Sequence, residues 1–166
     1  MLYFLATLAC LSAFPLMAAT IGNVEYQLPK VQQGWKIANE LHGDGDIQST
    51  TIIYVPENST LEDAEESFSA HTNDLPSMGL DQSSLKDAFD LQFPGVQLHL
   101  SVLESDTKST LFELSTSNEN ISIYSLIRAF DTEQGSVLLM YQTNKTEQLE
   151  SNRAGLLQSL KDAKLM

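Results

Sequence analysis

Cysteine is almost missing from this chain of 166 residues, and the one present, Cys10, lies in an apolar leader. Without a second thiol there is no disulfide framework. Beyond the leader there is no thiolate to act as a nucleophile or a metal ligand. Basic side chains are also scarce: nine Lys and Arg stand against 22 Asp and Glu, a formal net charge of -13. Between Glu40 and Asp90 twelve carboxylates face a single cation, Lys86. Such a surface repels phosphate backbones and anionic lipid, which speaks against nucleic acid and membrane surfaces as partners. It attracts a basic protein partner, and it also keeps an exported protein soluble. After residue 19 no apolar run is long enough to cross a membrane.

The first nineteen residues carry no charged side chain. Leu2–Leu11 is apolar, Pro15 interrupts the later part, and Met17-Ala18-Ala19 supplies small residues at a cut. The segment reads as a signal peptide over residues 1–19, although no Lys or Arg precedes its apolar part. A retained anchor is the rival reading, because the stretch is nearly long enough to span. Cleavage leaves residues 20–166 as a single domain, periplasmic or secreted, with no membrane insertion.

In that domain Val24–Leu28, Trp35–Leu41 and Ile47–Val55 read as strands, the last stopped by Pro56. His42-Gly43-Asp44-Gly45-Asp46 is turn chemistry, with Asp-Gly expected to supply positive φ. Ser59 or Thr60 followed by Glu62 or Asp63 is a capping box, and Leu61, Ala64, Phe68 and His71 recur at helical spacing. These signals predict a helix over 61–74, and a second over Ser83–Leu91 burying Leu85, Ala88 and Phe89. Four strands come next: Val96–Leu103, Ser109–Thr116, Ile121–Phe130 and Ser136–Gln142. Asn118-Glu119-Asn120 and Asp131–Gly135 supply turns. Val137–Tyr141 is apolar without a break, which places it centrally in a sheet. A last helix from about Asn144 presents Leu149, Leu156, Leu157, Leu160 and Ala163. The order βββααββββα predicts an α+β domain, an antiparallel sheet with helices packed on its faces.

The Gly34-Trp35 strand opening, the strand ending at Pro56, the capped Thr60-Leu61-Glu62-Asp63 and the long meander before an amphipathic C-terminal helix resemble the PsbP-like fold. That α/β/α sandwich includes a lumenal extrinsic subunit of photosystem II, a small Ran-binding nuclear transport factor and small exported proteins of Gram-negative bacteria. The resemblance covers the mature chain as an order of elements, without shared residue motifs. It implies a binding or assembly module rather than an enzyme, and it transfers no functional residue. The acidic 61–74 segment departs from a photosystem-binding pattern, and the leader argues against nuclear transport.

No catalytic constellation stands out. The calcium-loop pattern begun at Asp44 fails, because Val55 occupies the position that needs Glu. His42, His71 and His99 share no metal-ligand spacing. No Gly-x-Ser-x-Gly or phosphate loop occurs. Trp35 reads as core. The sequence therefore leads to a non-enzymatic protein-binding module without metal or cofactor. Its expected partner-binding residues are Glu62, Asp63, Glu65 and Glu66 on a helical face. A carrier of a small apolar ligand is the alternative and predicts a cavity lined from the strands. A hydrolase built from scattered His, Ser and Asp is the third reading; it requires His71 or His99 against a carboxylate.

Overall fold

The structure, a computed structural model, describes residues 18–30, 34–75, 96–117 and 122–166. The expected run of four strands is present as β6 (Gln97–Ser105), β7 (Ser109–Ser117), β8 (Ser122–Thr132) and β9 (Gly135–Thr143), all antiparallel. Alternation along each strand sends successive side chains to opposite faces. Ahead of them stand β1 (Ala18–Ile21), β2 (Val24–Gln27), β3 (Trp35–Asp44) and β4 (Gln48–Pro56). The β3–β4 hairpin forms where Asp-Gly predicted it. Neither Gly43 nor Gly45, however, adopts the positive φ seen at Gly22, Gly34 and Gly135.

The predicted sandwich of a sheet with helices on its faces is overturned. The fold is mostly β, with two antiparallel sheets and one helix among the described residues, α1 (Thr146–Asp162). The decisive segment is the expected acidic helix 61–74. Its start signal is real: Asp63 accepts a hydrogen bond from the Thr60 amide, and the Ala64 amide donates to the Thr60 carbonyl at 3.0 Å. That single turn does not propagate. Glu66–Asn73 becomes strand β5, laddered to β4 on one side and β9 on the other, with Phe68 and Ala70 buried. A capping interaction contributes about 1 kcal/mol. Two full ladders and a buried Phe outweigh it. The second expected helix, Ser83–Leu91, and the turn at Asn118-Glu119-Asn120 lie outside the described residues.

The large sheet has the order β3-β4-β5-β9-β8-β7-β6, so the apolar strand β9 is central, as its sequence predicted. A small sheet, β1-β2-β10 with β10 at Lys164–Leu165, packs together with α1 on one face of it, here the inner face. Leu149, Leu156 and Leu160 of α1 and Val24 and Tyr26 of β2 meet Phe68, Leu126, Leu139 and Tyr141 there. Tyr26 stacks on Phe68 at 5.8 Å, and its hydroxyl hydrogen-bonds that of Tyr54 at 2.9 Å. Burial pushes the Tyr26 hydroxyl pKa well above its usual value. Trp35 packs against this core and donates from Nε1 to the Pro29 carbonyl at 2.6 Å. At the sheet end, buried Arg128 ties the β6–β7 hairpin down. Its Nη2 donates to Ser109 at 2.8 Å, and Glu104 and Asp106 lie at 3.6 and 3.8 Å.

Candidate functional site

The ladder registers of the large sheet decide what shares its outer face. Thr51, His71, Leu138 and Ala129 form one row across β4, β5, β9 and β8. Ser69, Met140, Ile127 and Phe112 form the next row, and Leu114 pairs with Leu100 beyond it. Leu100, Phe112 and Ala129 make a second apolar cluster, separate from the inner core. Both α1 and the small sheet lie on the inner face, and no other described element packs across the outer one. A cavity of about 430 Å³ opens there. Small-molecule sites usually measure about 300–1,000 Å³.

The cavity wall is apolar except at one corner. Leu98, Leu100, Phe112 and Leu114 line it from β6 and β7; Ile127, Leu138 and Met140 line it from β8 and β9. Thr51, Ser69 and His71 supply the polar corner from β4 and β5. Asn73 fixes the histidine tautomer. Its Oδ1 accepts from the Leu75 amide at 3.0 Å and from Ser136 Oγ at 3.1 Å, so its Nδ2 turns to His71 Nε2 at 3.3 Å. His71 Nε2 is then an acceptor and Nδ1 carries the proton, which it donates to Thr51 Oγ1 at 2.7 Å. Having accepted, Thr51 keeps its own O–H to donate. The corner thus borders the cavity with hydroxyl groups, while the wall open to a ligand is almost wholly apolar.

Burial holds the His71 pKa below its ordinary value of 6.5. The unfolded chain then binds the extra proton, so this contribution to stability is complete above 6.5 and is lost as pH falls below it. Urea unfolding between about pH 7.5 and about pH 5.5 should show that loss, and His71→Gln should flatten it. An unchanged slope in the variant would remove His71 as its source.

The four carboxylates expected to share a helical face are split up. Glu62 and Asp63 are exposed in the turn before β5. Glu65 pairs with Lys145 at 2.7 Å. Glu66 points inward and accepts the Tyr141 hydroxyl at 2.8 Å, and burial foremost raises the Tyr141 pKa. The partners of His71 are a hydroxyl and an amide, not the carboxylate that orients a general base. His99 is exposed, and His42 sits 3.2 Å from Glu40 on the surface. Among the described residues no three His, Cys, Asp or Glu side chains converge to hold a metal. No described helix is long and apolar enough to cross a membrane.

The ligand-carrier reading expected a cavity lined from the strands, but sequence reasoning did not find which residues line it, because they come from six strands. The only available signal was the alternation of Leu98 with Leu100, Phe112 with Leu114 and Ile123 with Ile127.

No family model matches the sequence, and no curated protein matches it either. Among solved structures, the chain is similar to the solution structure of cyanobacterial PsbP (CyanoP) from Synechocystis sp. PCC 6803. The TM-score is 0.48 at 12% identity, over 87% of each chain. That likeness concerns the general course of the chain, and neither partner nor function follows from it.

Proposed function

We propose that this chain is an exported, non-enzymatic binding module whose ligand is a small apolar molecule with one hydrogen-bond acceptor. The observation that carries this reading is the cavity on the outer sheet face, with its apolar wall and single hydroxyl corner. Apolar burial supplies the affinity, and Thr51 and Ser69 orient the acceptor end. The chain's charge of -13 disfavours an anionic ligand, so the acceptor is a neutral carbonyl, ether or hydroxyl oxygen. Residues 1–19 deliver the module to the periplasm or beyond. In the folded domain Ala18 and Ala19 pair with Gln27 and Tyr26, so a cut after Ala19 leaves Thr20–Ile21 of β1.

The test is native mass spectrometry of the protein purified from its own compartment, followed by organic extraction. A co-purifying neutral apolar compound that also raises the melting temperature supports the proposal. A ligand at a hundred times its Kd adds about 2.7 kcal/mol of stability. A protein that carries nothing, and that no neutral apolar compound stabilises, would mean that the chain closes this face itself.

A further inference from the structure

We infer that β3, Trp35–Asp44, is a docking edge that takes an extended basic segment of a partner protein as an additional antiparallel strand. This inference does not rest on the cavity. β3 ends the seven-strand order, and among the described residues nothing pairs with its outer side. A strand at a sheet edge presents a row of N–H and C=O groups that template another strand. Proteins usually blunt such edges with proline, lysine, bulges or short length. β3 has ten residues, no proline and one lysine, Lys36. Its one irregularity lies between Ile37 and Asn39. From Glu40 to Asp44 the register with β4 runs without a break, and all five residues are exposed. Ile37 and Leu41 stand 56% and 52% exposed beside that row of backbone groups. Large apolar side chains held in water next to an open ladder suit strand addition, in which the main chain gives affinity and alternate side chains give selectivity.

Charge selects the occupant. Glu40, His42 and Asp44 project to one face of the strand, and Leu41 to the other, where it shares a row with Thr51 and His71. Asp46 follows in the hairpin bend. Between residues 34 and 66 there are eight carboxylates and one lysine. A second copy of the chain would set Glu40 and Asp44 against the same acidic row, and like charges across a ladder destabilise it. A segment that alternates Lys or Arg with Val, Ile or Leu instead places cations on the Glu40–Asp44 side and an apolar side chain on Leu41.

The experiment titrates the full protein with a labelled peptide of alternating lysine and valine and with its glutamate–valine counterpart, and maps amide hydrogen exchange. The lysine peptide should bind saturably and slow exchange in β3 alone, most of all in residues 40–44. Its affinity should fall about tenfold or more from low to high salt, as the screening length shortens. The double variant Glu40→Lys, Asp44→Lys should lose the peptide while keeping its melting temperature, since both side chains are exposed. Equal binding of both peptides, or protection elsewhere, would overturn the inference. So would concentration-dependent dimerisation that protects β3 without peptide, because the occupant would then be a second copy.

Discussion

Replacing Gly135 by alanine is expected to destabilise the protein by at least about 3 kcal/mol, and in a protein of ordinary margin to prevent folding. Gly135 opens β9 after the two-residue turn at Glu133 and Gln134, with φ at 130°. A Cβ there would lie 1.9 Å from the Asn73 carbonyl oxygen and 2.7 Å from the Asp74 Cα. Both neighbours are backbone, so no side chain can swing aside. Moving them breaks the bond from the Asp74 amide to the Gln48 carbonyl and the Asn73–Ser136 pair, which together close the end of β5. A residue held at such a φ adds strain on the order of 1–3 kcal/mol by itself. Gly45→Ala is the control: nothing lies within 4 Å of its added Cβ and its φ is not positive, so its effect should stay within about 0.5 kcal/mol. Denaturant unfolding of both variants checks the pair. A cost below about 1 kcal/mol at Gly135 would mean that β9 does not pass β5 this closely.

The second large effect is expected one residue off a neighbour that behaves differently. Leu139→Ala should cost about 2–5 kcal/mol, and Leu138→Ala less than about 1.5 kcal/mol. Leu139 is 0% exposed on the central strand, aligned with Ala70 and Arg128 and enclosed by the inner core. Truncating it leaves a hole that α1 and two sheets cannot all close. Leu138 is half-buried and borders a space that already exists, so its loss enlarges the cavity. Chemical unfolding of both variants gives the ratio. Equal costs, or a larger cost at Leu138, would place the sealed core on the wrong side of the sheet.

The same alternation explains what could be read in the sequence. Strands β6 to β8 were legible because apolar residues recur at alternate positions between polar turns, and β9 because Val137–Tyr141 is an unbroken apolar run. The stripe Leu149, Leu156, Leu160 likewise announced α1. β5 was misread because its residues satisfy two templates at once. Leu61, Ala64, Phe68 and His71 fit a helical stripe, while Phe68, Ala70 and Thr72 fit one face of a strand. The capping box tipped the local reading to helix, and local chemistry does form one turn there. The partners that settle the matter, β4 and β9, include a strand some seventy residues away, and a single sequence does not show such pairing. With the helix gone, the acidic face dissolved as well, since Glu66 now points at Tyr141. The make-up of the cavity was hidden for a related reason. Each lining residue was visible as a strand position, but which rows align depends on register, and a slip of one residue would send them all to the other face.

The central claim is that the outer sheet face holds a neutral apolar molecule by its acceptor end. The most direct measurement is a titration with Nile red, an uncharged apolar dye with one carbonyl oxygen that brightens on leaving water. Wild type is compared with Ser69→Phe, which fills the cavity from β5, and with Thr51→Val, which removes one of the two hydroxyls at the corner. The account predicts saturable brightening for wild type and none for Ser69→Phe. For Thr51→Val it predicts about tenfold weaker binding, as expected for one lost hydrogen bond. Equal titrations in all three proteins, each folded to the same melting temperature or higher, would contradict it.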